Sequence, residues 1–184
     1  MKQTIISRDK ISSGSWLELL NIKWRDAKGR HRTWEAAART QGRGAVMIIA
    51  VIKQTDEIIL VKQFRPPAGR ILVELPAGLI DDGEPPEVTA ERELLEETGY
   101  HGSVVCVSPP GFSSAGISGE TITTVTMEID AENFNGKIPE SSQEDSEDIE
   151  TVLIKRCNLR TYLKDEFSKG NGIDAKLWSY AAAL

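Results

Sequence analysis

The stretch from Gly78 to Tyr100 constrains this chain of 184 residues more than any other, because it carries eight carboxylates and a single base, Arg92. Pro85 and Pro86 suit the first turn of a helix, the early Glu residues suit the positive end of its dipole, and Gly99 can take the left-handed conformation that ends it. The pattern predicts a helix over 85–98. At about 100° per residue, with Val88 as origin, Glu96 falls at about 80°, Glu93 at about 140° and Glu97 at about 180°. Three carboxylates therefore share one face, and Val88, Leu95, Ala90 and Leu94 are left to anchor the helix. Like charges at this spacing repel by roughly a few tenths of a kcal/mol per pair, and no Lys is placed to relieve them. The face calls for a cation. Carboxylate oxygens without Cys or paired His are the ligand set of a hard ion, Mg²⁺ or Mn²⁺.

The remaining charge is unevenly placed. Twenty-two Lys and Arg against twenty-eight Asp and Glu give a net charge of -6, which argues against nucleic-acid backbones and anionic membranes as partners. Residues 1–70 carry fourteen bases and six acids, whereas residues 139–150 carry six acids and no base. The chain reads as a basic body with two acidic inserts. Its length suits one domain over 1–184. The longest apolar run, Ala45 to Ile52, is too short to span a bilayer, and the polar start after Met1 lacks the apolar core of a signal peptide. Cys106 and Cys157 have neither metal-ligand spacing nor a disulfide framework. A cytoplasmic or nuclear protein is expected.

Strands are expected at 15–24 and 31–40, joined as an antiparallel hairpin around Asp26-Ala-Lys-Gly29, where Gly can supply a positive φ. Residues 44–53 form a near-continuous apolar run, as in a strand buried on both faces, and 57–65 follow after a turn. Pro66-Pro67 ends that strand. Further strands are expected at 71–75, 103–108, 121–129 and 150–156, with helices near 158–168 and 174–184. Strands enclosing helices indicate an α/β or α+β fold.

Read from Gly78, the chain gives G-x5-E-x7-R-E-L-L-E-E-T-G-Y, with Glu84, Arg92, Glu93, Glu96, Glu97 and Gly99 at fixed positions. This resembles the signature box of the Nudix hydrolases; only Tyr100 departs, where that family more often has an aliphatic residue. VKQFRPP (61–67), ELPAGLIDDGE (74–84), RTWE (32–35) and the C-terminal AKLWSYAAAL extend the resemblance to the ADP-sugar pyrophosphatase branch, the ADP-ribose diphosphatases of eukaryotic type, over nearly the whole chain.

The resemblance implies an αβα sandwich with a mixed central sheet and an N-terminal antiparallel hairpin. The hairpin would span 14–40 and be exchanged in a homodimer, with the core in 44–184. It implies Mg²⁺-dependent hydrolysis of ADP-ribose to AMP and ribose 5-phosphate. Glu93, Glu97 and the Ala77 carbonyl match the family's metal ligands, with Glu96 as a further one, and Arg92 pairs with the box carboxylates. The base matches Glu147, also counted among the metal-facing acids, with Glu144 and Glu150 as competitors in the same acidic run. Trp16 and Trp34 match an aromatic pair that sandwiches adenine, one from each subunit, while Trp24 and Trp178 are assigned to the core. Glu35 would hold the adenine edge, Arg39 and Arg65 would reach phosphate or ribose, and Leu79 would line the pocket. Ser114 lies in the loop 108–120, which faces the distal sugar in the family; Ser114 and Ala115 depart from common family residues there. Two rival functions are a hydrolase of oxidised nucleoside diphosphates such as 8-oxo-dGDP and a non-catalytic ADP-ribose sensor; a sensor would be expected to have lost box residues, and these are intact.

Overall fold

The two apolar runs at 44–53 and 57–65 supply the centre of the fold in the computed structural model, which describes residues 2–41, 44–134, 139–143 and 148–184. In chain order the elements are β1 (Thr4–Ser13), β2 (Leu17–Arg25), β3 (His31–Arg39), β4 (Ala45–Ile52), β5 (Glu57–Arg65), β6 (Arg70–Glu74) and β7 (Ala77–Leu79). Helix α1 (Pro86–Thr98) precedes β8 (Ser103–Val107), β9 (Gly111–Phe112), β10 (Thr121–Ile129) and β11 (Ile149–Lys155). Helix α2 (Leu159–Ser168), β12 (Gly172–Ile173) and α3 (Ala175–Ala183) complete the chain. Two compact units result: Met1–Ala45 with Pro110–Ile122, and Val46–Pro109 with Thr123–Leu184. Among the described residues, no helix is long and apolar enough to cross a membrane.

In the second unit the strand order is β12-β6-β5-β4-β10-β8, with β11 paired to β5 and β7 to β4. The sheet is mixed: β12 runs parallel to β6, while β5 runs antiparallel to both β6 and β11. Ile48, Ala50 and Ile52 of β4, Ile59 of β5, and Val125, Met127 and Ile129 of β10 are buried with Ala90 and Leu94 of α1. Each Val, Ile, Leu and Met among them contributes roughly 1.5–3 kcal/mol by leaving water. Side chains alternate along a strand, so Lys62, an odd number of residues from Ile59, points to the opposite face. There it meets Glu166 of α2 at 3.4 Å. Helix α1 therefore covers one face of the sheet and α2 the other, giving the expected αβα layering. Leu159 and Leu163 of α2 and Leu177 and Ala181 of α3 are fully buried.

Tyr100 sits 1% exposed in the core on the α1 side, edge-on to Phe134 with ring centroids 5.1 Å apart. Its hydroxyl has no hydrogen-bond partner among the described residues, and burial pushes its pKa up. The surroundings are those of an apolar side chain.

The first unit departs from the expected hairpin by one strand. β1, β2 and β3 form an antiparallel meander, with Ile5 opposite Trp24 and Ile22 opposite Trp34. β1 is polar and almost wholly exposed, so no alternation marks it in the sequence. The free edge of β3 is met by the 117–118 segment, with the Ala37 N–H donating to the Ile117 carbonyl at 2.8 Å. The short strands β7, β9 and β12 are too brief to show a period. Trp24 is half-buried, and Trp178, assigned to the core on sequence, is 40% exposed. It lies near the middle of α3, beside Ser179, which is also exposed.

The β2–β3 turn is organised by Asp26, 7% exposed. Its carboxylate accepts the Lys28 and Arg30 amides, each at 2.9 Å, and the Arg30 and Arg32 Nε–H groups at 2.7 and 3.3 Å. Gly29 supplies the positive φ, 82°. The Arg30 amide first, then the Arg30 guanidinium and the Lys28 amide, outweigh burial and lower the Asp26 pKa to about 2 from 3.8. A pKa depressed by folding contributes stability that is complete above the unfolded value and is lost as pH falls through the folded one. Asp26→Asn is therefore expected to lower the melting temperature at neutral pH. Its gap from wild type should narrow as pH drops from about 4 towards about 2; a gap constant over that range would contradict the turn's electrostatic origin.

Candidate active site

Helix α1 begins at Pro86 after Pro85 in extended conformation and ends where Gly99, at φ 75°, donates its N–H to the Leu95 carbonyl. Between these limits, Ala90 and Leu94 fix its rotation against the core, which sets where the carboxylates point. Arg92 gathers them. Its Nη1 donates to Glu93 at 2.8 Å and Glu96 at 3.1 Å, its Nη2 to Glu84 at 3.0 Å and to the Leu79 carbonyl at 3.3 Å. Bonding from Arg92, then from the Thr89 hydroxyl, lowers the Glu84 pKa to about 2, and the Glu84 carboxylate in turn raises that of Arg92.

Glu93 and Glu97 meet the strand β7 backbone. Glu97 is 4% exposed and accepts the Ala77 N–H at 3.2 Å. A Cβ at Gly78 would lie 1.9–2.4 Å from the Glu93 carboxylate carbon and oxygens, so only glycine lets Glu93 rest on this backbone. The result is a cradle of oxygen donors: two carboxylates beside the Ala77 peptide, without sulfur or imidazole. Among the described residues no three His, Cys, Asp or Glu side chains converge as a complete ligand set. The oxygen cradle itself suits a hard divalent cation, which typically takes one or two carboxylates and completes its shell with backbone, water and substrate oxygens.

Of the candidate bases, Glu144 and Glu147 lie outside the described residues. Glu150 does not. It is opposite Lys62 in the β5–β11 register and 3.3 Å from the Lys62 ammonium, which also contacts Glu166. It therefore lies on the α2 side of the sheet, away from α1. Arg65, at the end of β5, donates from Nε to Glu74 at 2.7 Å across the face of β6.

The first unit holds the other candidates. Trp16 is 74% exposed and Trp34 51%, and they make no ring contact with each other. The Trp34 indole N–H donates to the Gly116 carbonyl at 3.0 Å, which fixes the ring beside the 114–118 turn. The Ser114 carbonyl accepts the Ile117 and Ser118 amides at 2.8 and 2.9 Å, forming that turn. Arg39 is ion-paired, Nε to Glu120 Oε1 at 2.5 Å, and Glu35 is exposed on β3 opposite Asn21. Leu79, at the end of β7, is 36% exposed. Ala77, Leu79, Arg92, Glu93, Glu96 and Glu97 are thus brought together in one unit, and Trp34, Arg39 and Ser114 lie along one loop in the other. Glu74, Glu120 and Gln143 were not anticipated. Each acts through a side-chain contact that neither spacing nor composition marks.

The sequence profile of the NUDIX domain matches residues 42–169. The chain is 37% identical to the ADP-sugar pyrophosphatase of Mus musculus, over 100% of this chain and 88% of that protein. It is 34% identical to the ADP-ribose pyrophosphatase of Saccharomyces cerevisiae, over 94% of this chain and 78% of that one. A crystal structure of an ADP compounds hydrolase shares the fold, with a TM-score of 0.71 at 22% identity, covering 90% of this chain and 84% of that one. With its acidic helix, glycine cradle and domain-wide match, the chain belongs to the Nudix hydrolase family.

Proposed function

We propose that this chain hydrolyses the pyrophosphate of ADP-ribose, or of a closely related ADP-sugar, to AMP and the sugar phosphate, with Mg²⁺ at the α1 face and Mn²⁺ as a workable substitute. The observation that carries this reading is the packing of Glu93 onto Gly78 beside Ala77 and Glu97. The mouse and yeast relatives, named for ADP-sugar and ADP-ribose pyrophosphatase activities, support the substrate class.

Glu93, Glu97 and the Ala77 carbonyl would hold the ion, with Glu96 as a further ligand. Bound there, a divalent ion would supply charge neutralisation for the phosphates and a lowered pKa for a water. In the reaction, a water oxygen bonds to one phosphorus, the bridging P–O bond breaks, and the second phosphate leaves with that electron pair. Glu147 takes the water's proton. Carboxylates bound to a metal are poor bases, so this role falls outside α1. Arg92 keeps Glu84, Glu93 and Glu96 oriented. Trp16 and Trp34 would flank the adenine from two subunits of a homodimer, each face contributing about 1–3 kcal/mol. Glu35 would hold the adenine edge, Arg39 and Arg65 the phosphates or ribose, Leu79 the pocket wall and Ser114 the distal sugar. Arg39 would act with Glu120 behind it, and the Gly116 bond would keep the Trp34 ring in place.

Four outcomes test this. At equal concentration, ADP-ribose should turn over faster than ADP-glucose and 8-oxo-dGDP; fastest turnover of 8-oxo-dGDP would instead assign the site to oxidised nucleotides. Glu97→Gln should lower kcat by about 100-fold or more while ADP-ribose binding stays measurable by calorimetry, and an unchanged kcat would remove the metal assignment. Trp34→Ala should raise KM with an unchanged far-UV spectrum, and sedimentation at micromolar concentration should give a dimer. Loss of the folded spectrum, or a monomer alone, would contradict the aromatic sandwich.

A further inference from the structure

An α-helix leaves its last carbonyls without donors of their own, and at the end of α1 a distant segment provides them. Gly99 donates to the Leu95 carbonyl at 2.8 Å, and the Ser142 N–H donates to the Glu96 carbonyl at 3.0 Å. The Gln143 Nε2 lies 3.4 Å from the Glu97 carbonyl. The fit is close: a Cβ at Gly99 would come 2.6 Å from the Glu140 carbonyl oxygen and 2.8 Å from the Pro139 Cβ. Residues 139–143 are thus seated on the turn that carries Glu96 and Glu97.

The Gln143 carboxamide also reaches the first residue of β11. Its Oε1 accepts the Ile149 N–H at 3.0 Å and its Nε2 donates to the Ile149 carbonyl at 2.8 Å. A side chain thereby pairs with a peptide as a neighbouring strand would, and donor must face acceptor at both ends, which settles the amide's orientation. The second Nε2 hydrogen is directed to the Ser141 Oγ at 3.0 Å, leaving Glu97 as a longer contact. On the other face of the sheet, Lys62 holds Glu150 at 3.3 Å. The head of β11 is held from both sides.

We infer that Gln143 is a positioning residue for the proton-transfer step: it touches neither substrate nor ion, but pins the chain on both sides of the acidic segment 144–148 to the turn that bears Glu97. The inference rests on the proposed role of Glu147 as base. Only where the chain leaves, at Gln143, and returns, at Ile149, enters into it. With the carboxamide removed, those two points are no longer tied to each other and only the Ser142 N–H still holds the segment to α1; a base displaced by about 1 Å can cost about 100-fold in rate.

The test is a double-mutant cycle on the full chain with ADP-ribose and Mg²⁺, comparing wild type, Gln143→Ala, Glu147→Gln and the double variant. Melting curves and substrate-free Mn²⁺ binding by electron paramagnetic resonance accompany the kinetics. Gln143→Ala is expected to lower kcat by about tenfold or more, with KM and Mn²⁺ affinity within about twofold of wild type. In the Glu147→Gln background the same substitution should cost less than about twofold, because the group it positions is gone. Gln143→Glu, which keeps the acceptor for the Ile149 N–H but cannot donate to the Ile149 carbonyl, should share the loss. Wild-type kcat in Gln143→Ala beside an impaired Glu147→Gln overturns the inference alone, as does an equal loss in both backgrounds, the signature of a merely structural role. Wild-type kcat in Glu147→Gln removes the base assignment and this inference with it.

Discussion

Arg92 donates to Glu84, Glu93 and Glu96 from one guanidinium, and the remainder of the site depends on that arrangement. Carboxylates three and four residues apart on a helix repel one another, and burial would add to the cost by favouring their neutral forms. A planar cation with donors on two edges offsets both effects at once, in a way a Lys ammonium could not. It holds Glu84 ionised far below neutral pH and ties the loop before α1 to the middle of the helix. The acidic face is thereby built before any metal arrives.

The face is useful because the core fixes its direction. Ala90 and Leu94 pack under β4 and β10, so the adjoining flank of the helix, with Glu93 and Glu97, turns towards β7. Gly78 then allows a contact that any side chain would block, and Glu93 and Glu97 come to rest around the Ala77 peptide. Packing, charge and one missing Cβ place the same few oxygen atoms. The far end of the helix is completed by residues 139–143, which take up its last carbonyls and lead the chain towards β11. The last turn of α1 and the first residue of β11 are consequently joined through residues 142 and 143 in one hydrogen-bonded assembly.

Much of this was legible in the sequence where a periodic pattern or a fixed spacing carried the information. The 85–98 helix appears as Pro86–Thr98, and 57–65 and 121–129 appear as β5 and β10 with the expected bounds. What escaped was set by tertiary partners rather than by a local pattern. β1 has no apolar alternation because both its faces meet solvent, and it is a strand only because β2 offers an edge. Trp178 reads as core by composition but sits 40% exposed on α3, where Leu177 and Ala181 carry the burial. Glu150 was indistinguishable from its acidic neighbours until its register with Lys62 put it on the α2 side of the sheet. The ties of Arg39 to Glu120, Trp34 to Gly116 and Gln143 to Glu97 belong to the same class: single contacts between segments, invisible to spacing.

The central claim is that the α1 face binds a divalent cation and that this ion drives water onto a pyrophosphate. Incubating the full chain with ADP-ribose in H₂¹⁸O, with Mg²⁺ or with excess chelator, and weighing the products by mass spectrometry tests it most directly. AMP and ribose 5-phosphate are expected only when Mg²⁺ is present, with one ¹⁸O in one of the two products. Release that persists at the same rate under chelation, or products without the heavy oxygen, would contradict it.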